Sequence, residues 1–137
     1  MTSITKETLV NAQPDFVWAA LRDVGAAHTR VFPGILTDCH MDGENARVVT
    51  FANGNVVREL IVDLDDQQRR FVYASVGGRT THHNASLQVF ETGENQSRVV
   101  WITDLLPNEI APAIRELVER GSSIMKATLE ASVKSLE

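Results

Sequence analysis

Four residues of this sequence, Arg47, Glu59, Tyr73 and His83, have side chains that could hold the polar end of a small molecule or exchange a proton with it. Each lies in a short extended run, where successive side chains face opposite sides and a residue shares its face with those two positions away. In 82–91 the apolar set Ala85, Leu87 and Val89 defines one face, and His83 shares it. The imidazole is therefore expected to look inward. Arg47 shares a face with Val49 and Phe51, and Glu59 shares one with Val57 and Ile61. Tyr73 groups with Phe71 and Ser75, a face preferred here over the equally apolar Val72, Ala74 and Val76. A second reading stays open: Arg47 and Glu59 neutralise each other across neighbouring strands, while His83 and Tyr73 complete a hydrogen-bonded interior.

Stronger chemistry finds less support. No nucleophile, base and orienting residue stand in a recognisable order, so no catalytic residue is assigned. His82-His83 and Cys39-His40 invite a metal, but adjacent strand residues point apart and cannot share one ion without a bulge. No metal and no cofactor are expected. Trp18 is read as packing, and the inward face of 97–106 is undecided, because Val99, Trp101 and Thr103 compete with Val100 and Ile102.

These residues need elements to position them. Residues 3–11 read as a strand, and Gln13-Pro14-Asp15 opens a helix carrying Phe16, Val17, Ala20 and Leu21. Gly25 is expected to end that helix, and a second short one to run to the Phe32-Pro33-Gly34 break. Turn chemistry at Asp42-Gly43, Asn53-Gly54, Asp65-Asp66, Gly77-Gly78 and Thr92-Gly93 then separates six strands, at 35–41, 46–52, 55–64, 70–76, 82–91 and 97–106. No helical stretch interrupts them, so the sheet is expected to be an antiparallel meander of seven strands. From Asn108 to Leu136 one helical stripe runs through Ile110, Ile114, Leu117, Val118, Gly121, Ile124, Met125, Thr128, Leu129, Ser132, Val133 and Leu136. Gly121 costs such a helix about 1 kcal/mol relative to alanine. Close packing on the sheet, a wider pocket and a gating bend are the readings it leaves open.

Composition bounds the rest. A chain of 137 residues suits one α+β domain over 1–137, and 43% hydrophobic with 23% charged residues is ordinary for a globule. The net charge of −5 and the single basic pair Arg69-Arg70 argue against a nucleic-acid partner. No apolar run approaches a membrane span, and the first residues lack the core of a signal peptide. One cysteine, Cys39, allows no internal disulfide, so a cytoplasmic protein, monomer or homodimer, is expected.

The order of strand, two short helices, six-stranded meander and long C-terminal helix resembles the START-like superfamily, which includes polyketide cyclase and dehydrase-like proteins. Local cues are Asn11-Ala12-Gln13-Pro14-Asp15-Phe16-Val17-Trp18, Asp23, Phe32-Pro33-Gly34, Arg47 before Asn53-Gly54, Val57-Arg58-Glu59-Leu60 running on to Asp65-Asp66, and Trp101 before Pro107. The resemblance implies a helix-grip fold with a cavity between the curved sheet and the C-terminal helix, and turns the faces of Arg47 and Glu59 inward. It implies a small hydrophobic or aromatic metabolite as ligand. The expected contacts are Arg47, Val49, Phe51, Glu59, Ile61, Tyr73, His83, Ala85, Leu87 and Trp101 from the sheet, with Leu117, Gly121, Ile124, Met125 and Thr128 from the helix. Two rivals share the scaffold: a cyclase or dehydratase using Glu59 or His83 as acid or base, and a protein-interaction module of co-chaperone or antitoxin type.

Overall fold

Proline in the first turn starts both longer helices, because its missing N–H would have no intrahelical partner there. The computed structural model describes residues 1–136. Strand β1 (Thr2–Val10) leads into helix α1 (Pro14–Arg22), a 3-10 turn (Val24–Ala26) and the one-turn helix α2 (Ala27–Arg30). Six strands follow: β2 (Leu36–Met41), β3 (Ala46–Phe51), β4 (Val56–Asp65), β5 (Arg70–Val76), β6 (His82–Gly93) and β7 (Gln96–Leu106). A second 3-10 turn (Asn108–Ile110) then feeds the long helix α3 (Ala111–Lys134). All strand pairs are antiparallel, in the order β1-β7-β6-β5-β4-β3-β2, so the first strand closes onto the last and the remainder form a meander. This is the helix-grip arrangement. Among the described residues no helix is long and apolar enough to cross a membrane.

One face of the sheet carries the core. Ile4, Val10, Phe71, Ala85, Leu87, Val89, Val99 and Leu105 are almost fully covered there. From α3, Val118, Met125 and Leu129 meet them, recurring at helical spacing. Irregularities in β2, β4 and β6 interrupt the ladder and bend the sheet around the helix. Polar ties fix α3 against β1: Lys126 Nζ donates to the Leu9 carbonyl at 2.9 Å, the Asn11 N–H donates to Glu130 at 2.8 Å, and Lys6 pairs with Glu119 at 3.0 Å. At the other end Trp18 is buried, and its indole N–H donates to Asp66 at 2.8 Å, where Arg22 also binds.

Boundaries differ from the expectations in three places. The first helix ends at Arg22 and not at Gly25, because Asp23 turns out of the helical conformation. Gly25 instead admits Met41 of β2, whose Cγ would stand 3.2 Å from any added Cβ. The last hairpin turns at Glu94-Asn95 and not at Thr92-Gly93, since β6 runs on to Gly93 and Asn95 takes the left-handed conformation that asparagine tolerates. The long helix begins at Ala111 after a 3-10 turn and stops at Lys134, leaving Leu136 exposed.

Candidate functional site

Helix α3 packs chiefly on β1 and β7, while β3, β4 and β5 curl away from it. The space left between them is a cavity of about 450 Å³. Its floor and walls come from Arg47, Val49 and Phe51 on β3, Val57 and Glu59 on β4, Tyr73 and Ser75 on β5, His83 on β6, and Trp101 and Thr103 on β7. Phe32, Ile35 and Leu36 close one side, and Ile114, Leu117, Val118 and Gly121 of α3 form the roof. The rim is polar, made by Asn53, Asn55, the Gly77–Thr80 loop, Glu116 and Arg120.

Register explains how the polar groups gather. Arg47 pairs across the ladder with Glu59, and Glu59 with Ser75, which puts all three in one row on the inner face. The Arg47 Nε–H donates to Glu59 Oε1 at 2.9 Å and its Nη1–H to the Val24 carbonyl at 2.9 Å, with both side chains under one-tenth exposed. The guanidinium also lies over the Phe71 and Tyr73 rings, 5.1 and 5.4 Å from their centroids. Next in that row, the pairing of β5 with β6 stops at Tyr73 and Ala85. Beyond it the Ser75 N–H donates to Nδ1 of His83 at 3.0 Å, so an imidazole takes a bond that a strand would otherwise supply. With Nδ1 accepting, the ring proton of neutral His83 sits on Nε2. Burial lowers the pKa of His83 from 6.5 to about 4, with His82 adding to the effect, and the ring is neutral at pH 7. Tyr73 accepts a hydrogen bond from the Trp101 indole N–H at 3.2 Å, and burial raises its pKa above the ordinary 10.

The expected contacts divide into two groups. Arg47, Val49, Phe51, Glu59, Tyr73, His83, Trp101, Leu117 and Gly121 line the cavity. Ile61, Ala85, Leu87, Ile124, Met125 and Thr128 do not. Ala85, Leu87 and Met125 lie deeper, in solid core at 1%, 2% and 0% exposure, where α3 already touches the sheet. Ile61 packs against that core from β4, and Ile124 faces a shallow outer groove with Gly34, Ile35, Glu119, Arg120 and Ser123. Thr128 is half-buried further along α3 and accepts at its carbonyl from Ser132. At Gly121 the packing reading fits: α3 runs unbroken through it, and an added Cβ would stand 3.0 Å from Trp101 Cζ3 and 3.5 Å from Phe32 Cε1.

The wall residues Ile114 and Val118 lay in the helical stripe, and Ser75 and Thr103 on faces already in view. Phe32 was visible only as part of a break, and no local signal marks the Gly77–Thr80 loop as a rim. Among the described residues no three His, Cys, Asp or Glu side chains gather as a metal site. His40 is exposed beside Asp38, while Cys39 is buried with its thiol toward the Val24 carbonyl.

Comparisons with other proteins give a consistent picture. The family model described as polyketide cyclase / dehydrase and lipid transport matches residues 1–137. No match is found among the curated proteins. Among solved structures, the protein XoxI from Bacillus cereus superposes with a TM-score of 0.83 at 18% identity, covering 99% of this chain and 98% of that one. A START superfamily protein from Mycobacterium smegmatis has a TM-score of 0.76 at 13% identity, covering 98% and 99%. Norcoclaurine synthase from Thalictrum flavum, in complex with dopamine and hydroxybenzaldehyde, has a TM-score of 0.76 at 17% identity, covering 99% and 88%. At these identities the likeness shows a shared fold.

Proposed function

The chain belongs to the polyketide cyclase/dehydrase and lipid transport family, and from that premise we propose that residues 1–137 act as one domain binding a small hydrophobic or aromatic molecule between sheet and α3. The observation that carries this reading is the cavity itself: about 450 Å³, walled mainly by apolar side chains, with one polar cluster at Arg47, Glu59, Tyr73 and His83. A space of this size and lining is the usual form of a small-molecule site. Arg47, Val49, Phe51, Glu59, Tyr73, His83, Trp101, Leu117 and Gly121 are its contact residues. The buried free thiol of Cys39 suits a reducing compartment, and we read the protein as cytoplasmic.

An enzyme working through Glu59 or His83 has less support. Glu59 Oε1 is committed to Arg47, which leaves only Oε2 open, and the Nδ1 lone pair of His83 is taken by Ser75, so the neutral imidazole has no free lone pair to act as a base. An interaction module would leave the cavity without a role.

The test is binding of an apolar fluorescent dye to wild type and two variants. Leu117→Trp places bulk in the cavity roof and should abolish or weaken dye binding at least tenfold. Ile124→Trp, on the outer groove, should leave it unchanged. Overpacking costs about 1–3 kcal/mol, so the fold of each variant is checked by circular dichroism first. Equal dye binding by wild type and a folded Leu117→Trp protein would overturn the proposal.

A further inference from the structure

The hydrogen bonds at the inner end of the cavity leave donors free and few acceptors. Tyr73 accepts from the Trp101 indole N–H, and among the described residues nothing accepts its own O–H. His83 accepts at Nδ1 from Ser75, which leaves the Nε2–H as its remaining polar group. The two rings are tilted neighbours with centroids 5.8 Å apart, and both line the cavity. Arg47, whose Nε and Nη1 are engaged, has no protein acceptor for Nη2 among the described residues. A lone cation has little to bind. The carboxylate of Glu59 already faces the Arg47 guanidinium at 2.9 Å, so a ligand ammonium would share it with a like charge. Thr103 and Ser75 carry hydroxyls that can act either way and favour neither sign.

Resting on the ligand reading above, we infer that this end of the cavity selects an uncharged hydrogen-bond acceptor, the carbonyl oxygen of a ketone, aldehyde or ester on an apolar body, and rejects amines. Two lone pairs of one carbonyl oxygen match two neutral donors, Tyr73 O–H and His83 Nε2–H. A carboxylate fits less well, because Glu59 already balances the charge of Arg47 and a second buried anion would have none to meet. Burial raises the pKa of Tyr73 and lowers that of His83, so both remain neutral donors across the physiological range.

Four probes of nearly one shape separate the outcomes by calorimetry at pH 7: 2-acetylnaphthalene, 2-isopropenylnaphthalene, 2-naphthoate and 1-(2-naphthyl)ethylamine. The ketone should bind about tenfold more tightly than the alkene, from hydrogen bonds the alkene cannot make. The ammonium and the carboxylate should each bind at least tenfold more weakly than the ketone. Tyr73→Phe and His83→Leu should each shrink the ketone's advantage over the alkene to about threefold or less, without weakening the alkene. Tyr73→Phe unpairs the Trp101 N–H and His83→Leu unpairs the Ser75 N–H, so both are checked for folding; the wild-type ranking stands without them. Equal binding of ketone and alkene by wild type, tightest binding of the amine or the carboxylate, or an undiminished preference in both folded variants would overturn the selection and leave the cavity reading intact. Binding of none of the four would overturn the cavity reading, and this inference with it.

Discussion

Arg47 and Glu59 are the two charges held most completely away from water, and their separation of 2.9 Å decides what a substitution there does. A buried pair adds little net stability, but breaking it strands one charge. Glu59→Gln keeps the shape and one acceptor oxygen, and should lower unfolding free energy by about 2–4 kcal/mol in urea titrations. Binding of an apolar probe by the folded fraction should stay near wild type; a loss of affinity without a loss of stability would make Glu59 a ligand anchor instead. His83 gives a pH signature. Its folded pKa of about 4 lies below the ordinary 6.5, so between those values the unfolded chain binds a proton that the native protein does not. The stabilisation is therefore complete above pH 6.5 and lost as pH falls toward 4. Discounted for the ring's partial contact with solvent, the loss is roughly 1–3 kcal/mol. Asp66 and Glu130, held below the usual carboxylate range by hydrogen bonds from Arg22 and Lys126, respond only at lower pH. Urea midpoints from pH 7 to 4.5 should thus fall more steeply for wild type than for His83→Leu, and parallel curves would refute the assignment.

At the scale of elements, α3 is held to the sheet by its apolar stripe and placed by a missing side chain. The Trp101 indole lies against the helix backbone at Gly121, tilted on Phe32 with ring centroids 5.4 Å apart, and its N–H is committed to Tyr73. Alanine at 121 would gain about 1 kcal/mol in helix propensity, while forcing a methyl to 3.0 Å from an indole that Phe32 and the bond to Tyr73 hold in place. We expect Gly121→Ala to be net destabilising by about 1 kcal/mol in chemical denaturation. A gain in stability would mean that Trp101 shifts freely and that close approach is not what glycine provides. The tie between α1 and the turn after β4 depends on Asp66, which accepts from both Trp18 and Arg22. Asp66→Ala should cost about 1 kcal/mol, mostly from the buried indole N–H left without a partner.

For the molecule as a whole, stability is distributed unevenly around the cavity. The β6, β7 and β1 ladders run long and are backed by α3, whereas β5 and β6 part company beyond Tyr73 and Ala85, next to Gly77 and Gly78, both at positive φ. Regions with few buried contacts open first. Amide hydrogen exchange should therefore be slow in β6, β7 and β1 and fast at 77–80, with the Ser75 amide slower than its neighbours at 77–78 because His83 covers it. Uniform protection across the sheet would contradict this division.

Much of this was legible before folding. Alternation at period two placed His83 on its inner face and grouped Arg47 and Glu59 with their apolar neighbours, which the family resemblance turned inward; turn residues marked every hairpin but the last, and the helical stripe announced α3, because periodicity and turn chemistry are properties of a few neighbouring residues. In β5 the face of Tyr73 was preferred over an equally apolar one and in β7 the choice stayed open, since both faces of each strand are apolar. Only the packed sheet put Tyr73 and Trp101 inside and left Ile102 and Val76 exposed. The extent of the cavity was equally out of reach: Ala85, Leu87 and Met125 share faces with true wall residues, yet fall where the helix already rests on the sheet. That boundary depends on how far the sheet bends and where two strands separate, which are non-local outcomes of packing. The tautomer of His83 belongs with them, because it follows from a bond to Ser75 that exists only once β5 and β6 lie side by side.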